Sequence, residues 1–248
     1  MSEIKMDKDF VIRIWSEGNL GNILPMYLTA IKMKEKLGYG KISHVNIPIF
    51  GISYEDFDMN SSIGGIHDQF HPNGKRYGNL PFKSLSKLIP KTDAKFISLE
   101  GLCQNINNFP GRHEFDYDNH FPFFSSSKCG GGEDELVINI RGGEVLEGVS
   151  PLYPMIPVEF YEFLAKKTGK KIIFCGQLDS SIYLDEIKSK FPDATYLPSK
   201  GVREDFDFIR RSKHIVTCLS TFSWFASWMS NADNIYFPVA AQFNPVQY

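Results

Sequence analysis

The chain has 248 residues, 42% of them hydrophobic and 23% charged, with a formal net charge of −2. That balance belongs to a folded globular protein of one large or two modest domains, and it supplies no basic field for nucleic acid or an anionic membrane. The charged opening MSEIKMDKD is no signal peptide, no apolar run reaches the length of a membrane span, and Cys103, Cys129, Cys175 and Cys218 form neither a C-x-x-C pair nor a disulfide framework; a reducing, cytoplasmic setting is expected.

Phe10 to Trp15 reads as the first strand, running into a glycine-bearing turn from Ser16 to Asn22. A helix is predicted from about Ile23 to Leu37, closed by Gly38 and Gly40. Ser43 to Phe50 is the next predicted strand, and together these open an α/β unit of Rossmann type. Glu17, Gly18, Gly21 and Asn22 fall at the C-terminal edge of the first strand, where open parallel sheets place ligands. The Gly18-x-x-Gly21 pair is looser than G-x-G-x-x-G and signals only a close backbone approach. Residues 51–90 have no clear period. His67 and His71 could ligate a metal from one helix turn, but Pro72, Asn73 and Gly74 follow at once, and a surface loop fits better. Lys95 to Leu99 is a short strand, and residues 109–124 are aromatic and loop-like. Ser125 to Glu135 is the clearest break in composition; it reads as a flexible linker dividing the chain into residues 1–128 and 129–248.

The second half alternates regularly. Leu136 to Ile140 has the continuous apolar character of a central parallel strand and ends in Arg141-Gly142-Gly143-Glu144. A helix (157–168), a strand (171–175) followed by Gly176, a helix (182–191), a strand (194–197) and a helix (203–212) come next. A strand at Ile215-Val216, a helix after Ser220 and a strand from Asn234 to Phe237 complete the pattern. Phe222, Phe225, Ala226 and Met229 share one face of that last helix and Trp224 and Trp228 another, so it is expected to be core on most sides, tryptophans included.

Ser220 stands at the N-cap, and the unpaired amides of a helix start suit a phosphate. Taken alone, the segment fits an ordinary capped helix equally well. Arg141 leaves a buried strand in a glycine turn at the same sheet edge, where its planar fork matches phosphate oxygens. An ion pair with Glu144 is the alternative. Three D-x-D triplets (Asp56/Asp58, Asp116/Asp118, Asp205/Asp207) invite a divalent metal. Asp205 and Asp207, however, open a helix, where carboxylates favour the positive end, and the other two triplets follow no strand. No metal site is expected.

Three motifs together resemble the fucosyltransferase superfamily of GT-B enzymes, which spans bacterial α-1,2-fucosyltransferases and protein O-fucosyltransferases. Gly18 to Asn22 resembles its G-G-L-G-N-Q loop, Asn139 to Glu144 its H-x-R-R-G-D, and Ser220 to Trp224 its S-[ST]-F-S-W, including the A-x-W at Ala226 to Trp228. The resemblance implies an α/β, GT-B-like fold with two Rossmann-like domains facing each other across a donor/acceptor cleft. It implies an inverting glycosyltransferase needing neither metal nor other cofactor. The enzyme would move a deoxysugar, foremost fucose from GDP-fucose, from a nucleotide-sugar donor onto the hydroxyl of an oligosaccharide or glycan acceptor. Arg141 is then expected on the β-phosphate, Ser220, Thr221 and Phe222 on the diphosphate, and Asn22 on the donor from the first domain. Gly18, Gly21, Asn139, Gly143 and Gly176 complete the expected donor-binding set, and Glu17 is the expected general base. The chain departs from the family at Asn139 (histidine), Gly142 (arginine) and Glu144 (aspartate), and Cys175 to Leu178 stands where S-D-D is common. A UDP-linked donor of rhamnose or xylose, or a non-catalytic carbohydrate- or nucleotide-binding module, therefore stays open.

Overall fold

Strand β1 (Val11–Ile14), buried along its length, pairs in parallel with β2 (Lys41–Ser43) on one side. On the other side it pairs with a later strand, in a sheet ordered β2-β1-β6-β5. Here β5 is Gly65–Asp68 and β6 is Phe96–Leu99. The computed structural model describes residues 10–14, 19–54, 65–68, 96–99, 103, 106–121, 130–148 and 153–240; the expectations for Glu17, Gly18, His71, Cys129 and the Asp56/Asp58 triplet lie outside them. The chain divides into two units, residues 1–116 and 117–248.

Helix α1 (Leu20–Leu37) starts earlier than its sequence suggests. The amides of Asn22 and Ile23 both donate to the Asn19 carbonyl, at 2.8 and 3.2 Å, which draws Gly21 and Asn22 out of the expected loop and into the first turn. The first half of α1 is buried almost all round, and Gly38 ends it in the left-handed conformation with its amide on the Lys34 carbonyl. The single strand expected over 43–50 is instead broken. His44 has a left-handed φ of +55°, which turns the chain out of β2 and into a hairpin of β3 (Val45–Ile47) and β4 (Ile52–Tyr54). His67, expected in a loop, lies on strand β5.

The second unit is a doubly wound sheet. Its strands are β7 (Glu135–Ile140), β8 (Lys171–Gly176), β9 (Thr195–Pro198), β10 (His214–Val216) and β11 (Asn234–Tyr236), all parallel in the order β11-β10-β7-β8-β9. Its helices are α2 (Tyr117–His120), α3 (Val158–Thr168), α4 (Ile182–Lys190), α5 (Val202–Arg211) and α6 (Thr221–Trp228). Leu136, Ile138 and Ile140 recur at the strand period and pack on Tyr161 and Leu164 of α3 and Ile187 of α4. Each such side chain taken fully out of water contributes roughly 1.5–3 kcal/mol. Val137 and Asn139 alternate with them and so face the other side of the sheet. Strand order reverses at β7, between β8 and β10, and such a switch point is where open α/β sheets bind ligands.

The division falls at 116/117, ahead of the boundary expected after residue 128. Tyr117 and Asp118 bind helices of the second unit: the Trp228 indole donates to the Tyr117 hydroxyl at 3.1 Å, and buried Arg210 pairs with Asp118 at 2.5 Å. Nor are the glycines of the expected linker loose. The Gly131 amide donates to Ser212 Oγ at 2.9 Å, its carbonyl accepts from the Lys213 amide at 3.0 Å, and a Cβ on Gly130 would lie 2.5 Å from the Arg211 carbonyl carbon. Only glycine permits that approach. Among the described residues, no helix is long and apolar enough to cross a membrane.

Candidate functional site

The loops after β7 and β10 meet at the switch point. Arg141, one residue past β7, sends Nη1 across to the Leu219 carbonyl at 3.3 Å, while Nη2 pairs with Glu144. The Tyr153 ring lies against the guanidinium, its centroid 4.6 Å from Cζ. Arg141 therefore sits at the expected sheet edge, and it has the carboxylate partner of the alternative reading, Glu144. Hydrogen bonding from Arg141 holds the Glu144 carboxyl below its ordinary range, outweighing partial burial.

Leu219 leads directly into the cap of α6. Ser220 is extended (φ −146°, ψ 134°), and its hydroxyl accepts from the Phe222 amide at 3.2 Å. The Trp224 amide donates to the Ser220 carbonyl at 3.0 Å. Among the described residues no acceptor meets the amide of Thr221, the half-buried first residue of the helix and one of the donors that a helix start leaves over. Ser223 is buried beneath this turn, its hydroxyl accepting from the Cys218 amide at 3.1 Å. The sequence expectation that Trp224 and Trp228 are core is corrected: both are half-buried and stack on each other at 5.2 Å and 13°, because they share a different helix face from Phe225 and Ala226, which fill the interior.

Three of the expected donor ligands are placed by the sheet itself. Asn139, at 5% exposure, accepts from the Cys218 thiol through Oδ1 at 3.0 Å and donates through Nδ2 to the Cys175 carbonyl at 3.3 Å. Its amide thus ties β8 and the segment after β10 to β7, and its geometry positions rather than presents. Gly176 is left-handed (φ +104°), and a Cβ there would lie 2.6 Å from the Ile140 carbonyl oxygen and 2.7 Å from Asn139 Nδ2. Gly143 opens a 3₁₀ turn (Gly143–Val145) with φ +53°, which carries Glu144 back to Arg141. In the first unit, Gly21 is buried and Asn22 half-buried in the first turn of α1.

A pocket opens beside Arg141, lined by Ile140, Tyr153, Met155, Tyr183 and Cys218 among others. Arg141 is the formal charge among its lining residues. Burial pushes the Cys218 thiol up to about 11 and the Tyr183 phenol up to about 12, so both are neutral near pH 7. Cys175, also buried, is pushed up to about 12. Neither thiol has the character of a nucleophile. Three of the triplet aspartates have structural partners: Asp205 accepts from Ser199 and the Lys200 amide, Asp207 pairs with Arg210 and Arg211, and Asp118 with Arg210. At the opposite sheet edge, Glu133, His214 and Asp233 bring one ligand atom each within 4.8 Å of one another. Both His214 nitrogens are engaged there, Nε2 with the Glu133 carbonyl and Nδ1 with Asn234 Nδ2, each at 3.0 Å. Sequence reasoning places Arg141 and the helix start at this edge, and the structure has both there. It missed Tyr153 and the Leu219 carbonyl, which no motif or periodicity marks.

No protein-family model and no curated protein matches this sequence. By structure the chain is similar to an arginine-to-lysine variant of Arabidopsis thaliana FUT1 in complex with GDP, at 10% identity and a TM-score of 0.53, over 92% of this chain and 71% of that one. It is also similar to POFUT1 in complex with GDP, at 10% identity and a TM-score of 0.46, over 94% and 99% of the two chains. The fold is that of the GT-B fucosyltransferases, α/β with parallel sheets.

Proposed function

We propose that the chain is a glycosyltransferase that takes its sugar from a nucleoside diphosphate donor, GDP-linked and foremost GDP-fucose, and transfers it to a glycan hydroxyl with inversion. The observation that carries this reading is the bond from Arg141 to the Leu219 carbonyl, which brings the cation to the start of α6. A guanidinium and the open amide of a helix start at one switch point can hold a diphosphate. The Arabidopsis protein of like fold was captured with GDP, which favours guanine over uracil as the base.

In the proposed reaction the acceptor oxygen attacks the anomeric carbon as the bond from that carbon to the β-phosphate oxygen breaks. The electron pair leaves with the diphosphate, where Arg141 and the Thr221 amide stabilise the growing charge. Glu17 takes the acceptor's proton as general base. Charge on the leaving group is answered by these groups, so the reaction needs no metal, and activity is expected to survive excess chelator.

The test is calorimetric titration with GDP and UDP. Wild type is expected to bind GDP, and Arg141→Ala to bind it about 10- to 100-fold more weakly, as loss of a charged hydrogen bond of roughly 1.5–3 kcal/mol requires. A wild type indifferent to both nucleotides, or a variant that binds GDP unchanged, would overturn the assignment. Glu17→Gln is expected to cut turnover by a factor of about 10² or more while leaving GDP affinity intact; normal turnover would remove Glu17 from the role.

A further inference from the structure

Arg141 is held from three directions, and one of the three is unlike the others. The Leu219 carbonyl and the Tyr153 ring are neutral and belong to the walls of the site. Glu144 is an anion on a short turn, its side chain 49% exposed against 26% for Arg141. Hydrogen bonds from the Val145 amide to the Gly142 carbonyl (3.1 Å) and from the Glu147 amide to the Gly143 carbonyl (3.3 Å) set that turn. They make the ion pair a property of local backbone geometry. The carboxyl is held below its ordinary range by Arg141, so it is ionised near pH 7.

A phosphate gripped by two parallel N–H bonds must use at least one terminal guanidinium nitrogen, since every edge of the fork includes Nη1 or Nη2. Each of these nitrogens carries two N–H bonds and has given one of them to an acceptor, Nη1 to Leu219 and Nη2 to Glu144, so a phosphate taking the remaining N–H of Nη2 shares that nitrogen with a carboxylate. A phosphate on that edge would also sit beside the Glu144 carboxylate, and two anions at such range repel. Arginine is anchored by its two neutral partners, whereas the exposed carboxylate can rotate into water. The group that yields is Glu144.

Resting on the phosphate-site reading above, we infer that Glu144 is an internal competitor for the donor's diphosphate: it occupies the Arg141 fork in the ligand-free protein, is displaced when the diphosphate binds, and returns as the diphosphate leaves. Arg141 then gives up its partner most readily to a ligand carrying more charge than one carboxylate. This favours a diphosphate over singly charged anions and speeds release of the nucleoside diphosphate product.

The experiment is titration of the full chain with GDP and, separately, with inorganic pyrophosphate, at one ionic strength, in wild type, Glu144→Gln and Glu147→Gln. Glu147 is an exposed neighbour and carries the same change of net charge. Glu144→Gln is expected to bind both ligands about two- to fivefold more tightly, the factor by which an exposed ion pair of this kind resists opening, and to release GDP more slowly in stopped flow. Glu147→Gln is expected to match wild type. Equal or weaker binding by Glu144→Gln, with wild type binding normally, overturns the competitor role while the phosphate site stands. Equal tightening by both variants reduces the effect to net charge and also overturns it. A wild type that binds neither ligand brings down the phosphate site, and this inference with it.

Discussion

The two edges of the second unit's sheet are made by the same five strands, yet they treat polar groups in opposite ways. At the N-terminal edge they close on one another. His214 bridges the Glu133 carbonyl and Asn234, Gly131 exchanges bonds with Ser212 and Lys213, and the Asp233 amide donates to the Lys213 carbonyl at 2.9 Å. At the C-terminal edge, the start of α6 leaves the Thr221 amide without an acceptor among the described residues, and the Arg141 guanidinium reaches the Leu219 carbonyl two residues before it. Parallel strands joined by helices put helix N-termini at one edge only, so capacity for anions collects there. The opposite edge is left to hold the strands together.

That contrast is broken most severely at Gly176. Gly176→Ala places a methyl group 2.6 Å from the Ile140 carbonyl oxygen in a left-handed position. Backbone strain and overpacking together are expected to cost about 2–5 kcal/mol, measured by urea denaturation, and to abolish GDP binding. Wild-type stability in this variant would mean the edge is softer than its geometry implies. Next comes His214→Ala at the other edge. It removes two part-buried hydrogen bonds and is expected to lower stability by about 1–3 kcal/mol while GDP affinity holds. Weakened GDP binding there would dissolve the division of labour between the edges.

The smallest effect expected is a pH dependence. The Cys218 thiol ionises at about 11 in the folded protein against 9.0 for an unperturbed thiol, because burial disfavours the thiolate. Between those values the unfolded chain has lost the proton that the folded one keeps. The native state therefore binds more protons, and stability falls as pH rises through this window. The melting temperature is expected to decline less steeply over that range in Cys218→Ser. Identical slopes would show that burial of this thiol is not the cause.

The local parts of this protein were legible. The mostly apolar stretches 136–140 and 171–175 mark β7 and β8, Gly38 and Gly169 mark helix ends, and Ser220 is recognisable as a cap, because each depends on neighbours within a turn or two of chain. His44 was not legible as a break, since a non-glycine residue at φ +55° has no composition signal. The glycine run before β7 looked like a tether because sequence shows small residues and not the Arg211 backbone they admit. Asn139 is expected as a ligand only because it stands at the histidine position of H-x-R-R-G-D; its side chain is bonded to the Cys218 thiol and the Cys175 carbonyl of other segments.

For the site itself, sequence alone determined that a cation and a helix start each follow an apolar strand. Only the tertiary structure decided that they meet. Arg141 and Leu219 are 78 positions apart, and no local rule relates them. The parallel pairing of β7 with β10 brings their C-terminal ends side by side, and the Leu219 carbonyl, left outside both strand and helix, takes up the arginine. The partner that competes for the same fork, Glu144, lies three residues away; the turn that brings it back was written locally, and its consequence for the ligand was not.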